Sequence, residues 1–337
     1  MSKMSDILAG LDAKTRKRVQ LASKLDLVRN PVPSVGMTLA LRGGLAVGRQ
    51  ALVYGPKSAG KTSFCLQFAA DAQKRGESVA FIDAEGTYDP EWAARLGVDN
   101  DDMLIVDTKT IEETTTLCKE LMQQNVDVII VDSISALMGS AFFVKDSTEL
   151  KELDNTKQIG NDARDMAQCI KMLNYTNKNT TLILISQERM KLESWGAIAV
   201  PTGGKAVPYF STTVIHLNAS ASDVKQIKAK VKVGNKIIEQ PVGRPVDWTI
   251  KYNKTGPPNG KGTYDFYYDG DMVGVDPIAE FVDAAKETGL FGESAGYFRV
   301  SDTENIHGKA AVVERFRFDT DLYNFWKDKY LNGNTAE

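Results

Sequence analysis

Short apolar segments alternate with amphipathic stretches from Val35 to about Thr213. The apolar segments, each of the length of a buried strand, are residues 50–54, 78–85, 103–106, 126–133 and 180–187. Residues 64–70, 90–96 and 111–124 between them repeat apolar positions every three or four residues, as amphipathic helices do. This alternation is typical of a mainly parallel sheet with helices on both faces. The predicted fold class is α/β, with a doubly wound sheet.

The two ends of the chain are predicted to lie outside this sheet. The basic N-terminal stretch, residues 1–30, is predicted to form one loosely amphipathic helix that ends before Pro31 and Pro33. It either docks on a neighbouring subunit or frays in solvent. The predicted division is an N-terminal helix and linker at 1–34, a core at 35–275, a small C-terminal α/β domain at 276–331 and a tail at 332–337.

A β-hairpin is predicted late in the core, where residues 225–233 alternate and residues 236–238 return after a Gly-Asn turn. Lys228, Lys230 and Lys232 lie on one face of its first strand. Lysines on an edge strand commonly prevent aggregation, and a contact with duplex DNA is the alternative.

A glycine-rich loop follows the first apolar segment and precedes a helix. The residues that fit the phosphate-binding pattern G-x-x-x-x-G-K-[ST], with the serine after it, are Gly55, Pro56, Lys57, Ser58, Ala59, Gly60, Lys61, Thr62 and Ser63. In such a loop Lys61 reaches the β- and γ-phosphates, and the Thr62 hydroxyl holds Mg²⁺. A chance match is the alternative, but the flanking strand and helix favour nucleotide binding.

Two carboxylates end apolar segments that follow the loop. Asp132 is predicted to hold Mg²⁺ beside Thr62, although an aspartate there can also cap a helix. Glu85 is predicted to orient the attacking water, because it ends a strand that we expect beside the strand of the loop. Its alternative is a solvated loop carboxylate.

Composition narrows the class of protein. A formal net charge of −3 argues against a protein that coats nucleic acid by bulk positive charge, so a nucleic-acid site must be a local patch. No apolar run approaches the roughly 20 residues that span a bilayer, and no membrane partner or signal peptide is expected. Three dispersed cysteines fit a reducing compartment.

Several further motifs resemble those of RecA-type DNA strand-exchange recombinases over nearly the whole chain. They are Gly43-Gly44-Leu45 with Gly48-Arg49, Phe81-Ile82-Asp83-Ala84-Glu85, Asp89-Pro90, Val131-Asp132-Ser133, Gln187 followed by Arg189-Met190-Lys191, and Thr202-Gly203-Gly204. The short N-terminus, Pro208-Tyr209 and the lack of an acidic tail resemble the phage UvsX-like members. The resemblance implies a RecA-like P-loop ATPase core with ATP and Mg²⁺ as cofactors.

The resemblance also implies roles around the nucleotide. Glu85 is similar to the catalytic base, and Gln187 to the residue that senses the γ-phosphate. Trp92 matches the aromatic stacked on adenine, with Asp89 near the adenine edge, although a tryptophan on a helix is more often core. Lys254 matches one of two lysines that reach a neighbour's ATP. Because Tyr252 occupies the other position, Lys251 is the candidate to replace it, and Tyr268 is associated with the neighbour's nucleotide.

Two DNA loops are implied, at about 140–158 and 188–204. The residues that match DNA-contacting positions or would serve phosphates are Ile159, Arg164, Lys171, Arg189, Lys191, Leu192, Gly203, Gly204 and Lys205. The second segment is apolar without a strand or helix period, and single-stranded DNA can bury such side chains. Arg164 could instead be an exposed helix charge, and the second loop a lid or protein contact. Glu188 departs from the family, which has an apolar residue there.

The predicted function is an ATP-dependent DNA recombinase. It would form a helical filament on single-stranded DNA and exchange strands with homologous duplex DNA, with DNA-stimulated ATP hydrolysis at a site shared between subunits. Expected partners are a loader or mediator and a single-strand-binding protein, in the cytoplasm of a bacterial or phage-infected bacterial cell. A ring-forming helicase or translocase and a non-catalytic ATP-binding mediator are the alternatives.

Overall fold

The computed structural model describes residues 3–143, 159–193, 196–219, 226–233, 236–270, 272–294, 296–301 and 303–333. Its helices are α1 (Lys3–Gly10), α2 (Ala13–Arg16), α3 (Val35–Ala40), α4 (Lys61–Lys74), α5 (Pro90–Arg95), α6 (Ile111–Gln123), α7 (Ile159–Thr176), α8 (Ala206–Phe210), α9 (Pro277–Glu287), α10 (Lys309–Phe318) and α11 (Thr320–Gly333). Its strands are β1 (Arg29–Asn30), β2 (Leu45–Ala46), β3 (Gln50–Gly55), β4 (Val79–Asp83), β5 (Met103–Asp107), β6 (Val128–Asp132), β7 (Thr181–Glu193), β8 (Gly196–Pro201), β9 (Thr213–Ala219), β10 (Ile227–Val233), β11 (Lys236–Asn253), β12 (Lys261–Tyr267), β13 (Gly274–Val275), β14 (Gly292–Ser294), β15 (Tyr297–Arg299) and β16 (Asn305–His307).

A large sheet organises the core, in the order β13-β12-β11-β9-β3-β7-β6-β4-β5. The six strands from β9 to β5 are mutually parallel, which confirms the predicted α/β class. The expected neighbourhood of β4 and β3 is wrong, because β7 and β6 lie between them. Burial periodicity indicates that a strand is internal, but it does not identify the strands that pair with it.

An antiparallel extension continues the sheet beyond β9. Strands β11, β12 and β13 pair in turn, and β10 folds back on β11 as the predicted hairpin. Lys228 and Lys230 are exposed, and the side chain of Lys232 lies outside the described part. Lys230 faces Glu239 in the register of the hairpin, so a negative charge lies beside this lysine face.

Hydrophobic cores cover both faces of the sheet. Val53 of β3 packs in one core with Phe64 and Phe68 of α4. Leu52, the preceding residue, packs in the other core with Ile170 of α7. Adjacent residues of a strand point to opposite faces, so helices on both sides need a strand that is apolar throughout. The continuous apolar runs that predicted buried strands have this origin.

A third core is formed by the C-terminal helices and the small sheet of β14, β15 and β16. Glu280 of α9 connects this part to α3. Its carboxylate accepts hydrogen bonds from Ser34 Oγ (2.6 Å), Val35 N (2.9 Å) and Gly36 N (3.1 Å). Burial raises the pKa of Glu280 to about 7. The predicted domain boundary at residue 276 stays a prediction.

The N-terminal segment differs from the single helix that was predicted. Asp12 accepts hydrogen bonds from the N–H groups of Lys14 and Thr15, which starts a second helix and separates α1 from α2. Neither helix buries a residue, and Met4 and Ile7 are more than half exposed. No helix among the described residues combines the length and apolar character that a membrane span requires.

The two predicted DNA loops have different outcomes. Residues 144–158, most of the first one, lie outside the described residues. The second, 188–204, is largely a β-hairpin rather than a loop. Strand β7 continues beyond the carboxyl ends of its neighbours β3 and β6 and pairs there with β8, from Glu188↔Pro201 to Glu193↔Gly196. The returning strand β8 is apolar on both faces, from Ala197 to Val200, which masked the alternation of the hairpin in the sequence.

Candidate nucleotide and DNA sites

The glycine-rich loop connects the central strand β3 to α4. Gly55 must be glycine because a Cβ there would lie 2.0 Å from the carbonyl oxygen of Leu217 on β9. Gly60 caps α4 with φ +84°, a conformation that L-residues rarely adopt. The start of α4 therefore faces the loop with unpaired N–H groups, which favours a bound anion.

Lys61 lies in the first turn of α4 and is mostly buried. Its Nζ donates to the carbonyl oxygens of Gly55 (3.0 Å) and Pro56 (2.8 Å). Burial lowers the pKa of Lys61, and the carboxylates of Asp132 and Glu85 oppose that effect. A phosphate would supply this ammonium with a stronger acceptor than the two carbonyl groups.

Thr62 and Asp132 meet as a pair of oxygen ligands. Thr62 Oγ1 donates to Asp132 Oδ2 at 2.6 Å. Asp132 is 4% exposed, and burial raises its pKa to about 6. A hydroxyl and a carboxylate at this spacing fit Mg²⁺, which keeps several waters and takes its other ligands from phosphates. The described residues contain no cluster of three or more His, Cys, Asp or Glu suited to a metal, and such a site does not need one.

Glu85 is brought to the same place although its strand is not next to β3. Ser133 Oγ donates to Glu85 Oε1 at 2.5 Å, and Gln187 Nε2 donates to the same oxygen at 3.3 Å. The carbonyl of Asp132 also accepts from the N–H groups of Ala84 (2.8 Å) and Glu85 (3.3 Å). These bonds connect the carboxyl ends of β4 and β6 to Gln187, the last residue of β7 that pairs within the parallel sheet. Parallel sheets bind ligands at this end of their strands.

A cavity of about 630 Å³ collects most of the predicted nucleotide residues. It is lined by Lys57, Ser58, Ala59, Gly60, Lys61, Thr62, Ser63, Glu85, Trp92, Asp132, Ser133, Ile185, Gln187, Gln226, Arg244, Phe266 and Tyr268. Gly55 and Pro56 lie beneath it as acceptors for Lys61. Tyr268 lines the cavity of its own chain, whereas the sequence associated it with the nucleotide of a neighbour.

The structure brings Trp92, but not Asp89, to the wall of the cavity. Trp92 lines the cavity, and its Nε1 donates to Ser63 Oγ at 3.1 Å. Asp89 does not line it, and its carboxylate caps α5 by accepting from Glu91 N (2.9 Å) and Trp92 N (3.2 Å). Asp89 therefore orients the helix that carries Trp92.

Five residues that line the cavity were not among the predicted site residues: Ser133 and Ile185, next to or on the parallel strands, and three from a distant part of the chain. Gln226, Arg244 and Phe266 come from the antiparallel extension, far along the chain from the glycine-rich loop. Nothing in their local pattern indicates a ligand, because Arg244 and Phe266 occupy ordinary strand positions opposite each other. The pairing of β11 with β9 and β12 places Arg244 and Phe266 at the cavity, and the pairing of β10 with β11 brings Gln226 there.

The hairpin of β7 and β8 is attached to the nucleotide cavity through hydroxyl groups. Ser135 Oγ accepts from Gln187 N (2.9 Å) and lies 2.5 Å from Thr202 Oγ1. Thr202 Oγ1 is in turn 2.9 Å from Ser186 Oγ. Both ends of the hairpin are thus tied to the loop that follows Asp132.

The predicted DNA-contacting residues are placed around this hairpin and α7. Arg164 and Lys171 are exposed on α7, and Arg189 and Lys191 are exposed on β7. The side chains of Ile159 and Leu192 lie outside the described part. Gly203 and Gly204, with φ +85° and +84°, connect the hairpin to α8, and Lys205 is exposed just before that helix.

Glu188 does not point its charge towards the exposed face of the hairpin. Its Oε2 lies 2.8 Å from Nε2 of His216 on β9, and both side chains are less than a fifth exposed. The Tyr54 ring lies against His216, with ring centres 4.8 Å apart. Because of this contact, the acid that departs from the family pattern is turned into the sheet.

Lys254 and Lys251 are not brought to the nucleotide cavity of their own chain. Lys254 lines a second cavity of about 910 Å³ together with Arg49, Lys205 and Tyr209. Its Nζ donates to the Tyr209 carbonyl at 2.5 Å. Lys251 is exposed. Their predicted action on a neighbour's ATP stays a prediction.

Comparisons with known proteins agree with this geometry. A model of the RecA N-terminal domain matches residues 16–269. RecA of Oleidesulfovibrio alaskensis is 32% identical over 307 residues, 89% of this chain and 81% of that protein. RecA of Thermus thermophilus is 31% identical over 89% of this chain and 84% of its own, and RecA of Pseudomonas putida is 33% identical over 83% and 74%. The chain belongs to the RecA family of ATP-dependent DNA recombinases.

Proposed function

We propose that this chain binds ATP and Mg²⁺ in the cavity of about 630 Å³ and couples ATP hydrolysis to the grip of the β7–β8 hairpin on single-stranded DNA. One observation carries the proposal. Gln187 donates to Glu85 at the nucleotide cavity and is also the residue from which the hairpin leaves the sheet. A change at the terminal phosphate can therefore move the hairpin through a single residue, Gln187.

The proposed chemistry assigns each side chain a separate task. Lys61 leaves the loop carbonyls and binds the β- and γ-phosphates, while Thr62 and Asp132 hold Mg²⁺, which offsets the phosphate charge. Glu85 accepts a proton from the water that attacks the γ-phosphate. Its second oxygen is available for that water, since Ser133 and Gln187 both donate to Oε1.

Trp92 and Tyr268 are the proposed contacts of the base. Both rings line the cavity, and the indole N–H of Trp92 is held by Ser63 next to Thr62. A flat aromatic surface binds a base by stacking and does not need a charge. Asp89 acts here as the cap that orients α5 rather than as a direct ligand.

The proposed DNA surface combines exposed cations with exposed apolar side chains. Arg189 and Lys191 lie on β7, and Met190 and Ile198 of the hairpin are 60% and 55% exposed. Cations neutralise phosphates, and apolar side chains enter an unstacked strand. Arg164, Lys171, Lys205 and the two glycines before α8 extend this surface, and Ile159 and Leu192 are the proposed inserting residues.

A helical filament is the proposed assembly. Lys254, with Lys251, would reach the ATP of a neighbouring subunit, because neither lines the cavity of its own chain. The exposed apolar residues of α1 need a partner outside the chain, and β5 offers Leu104 and Ile105 at the sheet edge. Many weak contacts between the subunits and one DNA strand would together offset the repulsion due to the net charge of −3.

The proposed partners are single-stranded DNA, homologous duplex DNA, further copies of the chain, a loader or mediator, and a single-strand-binding protein. The proposed location is the cytoplasm of a bacterial or phage-infected bacterial cell. The three relatives reported above are bacterial RecA proteins, so the UvsX-like details stay a prediction.

Joint formation between a labelled single strand and homologous duplex DNA tests the function. The wild type should form joints only with ATP and should release phosphate faster with DNA. Lys61→Ala should fail in both assays, whereas Glu85→Gln should retain ATP-dependent DNA binding and lose phosphate release. Lys74→Ala, at the exposed end of α4, is the matched control and should behave as the wild type.

Two outcomes would refute the proposal. Closed rings on DNA with no filaments in electron micrographs, together with strand unwinding, would favour a helicase or translocase. ATP binding without DNA-stimulated phosphate release or joints would favour a non-catalytic mediator.

A further inference from the structure

Arg244 is a cation of the nucleotide cavity that no sequence motif explains. It lies on β11 opposite Phe266 of β12, in the antiparallel extension. Its guanidinium nevertheless reaches the glycine-rich loop, where Nη2 donates to the carbonyl oxygen of Ser58. Arg244 also lines the cavity together with Lys61.

The guanidinium of Arg244 has few hydrogen-bond acceptors in the protein. Its Nε is buried without a hydrogen-bond partner, and none of the ion pairs among the described residues involves it. Glu85 and Asp132, the carboxylates of the cavity, are hydrogen-bonded to other side chains. A partly buried arginine with a single neutral acceptor has unused donors and no counter-charge.

Arg29 shows that this hydrogen-bonding pattern alone does not indicate a ligand. Its Nη2 donates to the Thr255 carbonyl, and its Nε is also buried without a partner. The difference between the two residues is position, because Arg29 does not line the nucleotide cavity and Arg244 does. What distinguishes Arg244 is therefore a space beside it that can hold an anion.

Arg244 and Lys61 are arranged alike around the glycine-rich loop. Lys61 donates to the carbonyl groups of Gly55 and Pro56, and Arg244 to that of Ser58. Both cations thus use neutral carbonyl groups of one loop, and each would gain a stronger, charged acceptor from a phosphate. The forked guanidinium can bind two phosphate oxygens at once.

We propose that Arg244 is a phosphate-binding residue that contacts the phosphate chain of the nucleotide held by its own chain, as a second cation beside Lys61. The inference rests on the proposed function, since it assumes that the cavity binds a nucleotide. Arg244 is distinct from Lys254 and Lys251, which the same function assigns to the nucleotide of a neighbour.

Calorimetric titration with ADP and adenosine, without DNA, tests this role. Arg244→Gln should weaken ADP binding about tenfold or more, since a hydrogen bond between charged groups is lost, and leave adenosine binding within about twofold. Arg29→Gln is the matched control and should bind both ligands as the wild type does. The fall in ADP affinity with added salt should be less steep for Arg244→Gln.

Three results would overturn the assignment. ADP binding by Arg244→Gln within twofold of the wild type would leave Arg244 a structural residue, and an equal loss for ADP and adenosine would place it at the base or in the fold. If Arg244→Gln does not fold, Arg244→Lys replaces it and should bind ADP several-fold more weakly with unchanged adenosine binding. An ADP affinity of Arg244→Lys equal to that of the wild type would refute the role. No ADP binding by the wild type would refute the proposed function itself.

Discussion

Asp132→Asn should make the ligand-free protein more stable at neutral pH while it removes the response to Mg²⁺ and nucleotide. Asp132 is buried, which raises its pKa from the ordinary 3.8 to about 6. A carboxyl with a raised pKa holds its proton more tightly in the folded protein than in the unfolded chain. The stability that protonation contributes is complete below about pH 4 and is lost as the pH rises through 6.

The size of this effect follows from the two pKa values. The gap between 3.8 and about 6 corresponds to about 3 kcal/mol at about 1.4 kcal/mol per pH unit, as an upper bound. Asparagine keeps an oxygen that can accept from Thr62 and does not ionise. We therefore expect Asp132→Asn to gain about 1–3 kcal/mol over the wild type at pH 7.5 and much less at pH 4.5.

Urea unfolding between pH 4.5 and 8, with and without Mg²⁺ and ADP, measures both effects. At a ligand concentration about 100 times Kd the wild type should gain about 2.7 kcal/mol, and the variant should gain little because one ligand of Mg²⁺ is absent. Asp71→Asn removes a partly exposed carboxylate of α4 that pairs with the exposed Lys74; it is the control and should shift stability by less than about 0.5 kcal/mol. A variant less stable than the wild type at pH 7.5, or a difference that does not change with pH, would refute the reasoning.

Three further substitutions test separate contacts. Ser135→Ala should reduce the nucleotide-dependent gain in affinity for single-stranded DNA, with nucleotide affinity itself kept within about twofold, because Ser135 connects both ends of the hairpin to the loop that follows Asp132; an unchanged gain in binding titrations would contradict this role. Trp92→Ala should weaken ADP and adenosine binding alike, by about tenfold, because a stacking surface is lost; a loss confined to ADP would argue against stacking. Glu280→Ala should lower the free energy of unfolding by about 2–4 kcal/mol in urea titrations, since three donors around α3 lose their acceptor; a loss below about 1 kcal/mol would show that the contact is dispensable.

The β7–β8 hairpin illustrates a feature that the sequence indicated only in part. Its apolar and basic residues predicted a surface that needs a partner, and Met190 and Ile198 are indeed exposed. Its conformation was predicted wrongly as a loop, because β7 continues as a strand beyond the part that the sheet buries. A strand outside the core lacks the burial pattern from which strands are predicted.

Long-range pairing decided the rest of the nucleotide site. From the sequence alone, the glycine-rich loop and the acids Glu85 and Asp132 were predicted to belong to one site, and the structure brings them to one cavity. These features follow from residues adjacent in the chain and from the ends of buried strands. It did not determine that β7 and β6 separate β4 from β3. It also did not place Arg244 beside Ser58, 186 positions earlier. Periodicity reports the local conformation and burial of a segment, whereas the partners across a sheet or a cavity depend on how distant segments pack, and only the tertiary structure contains that information.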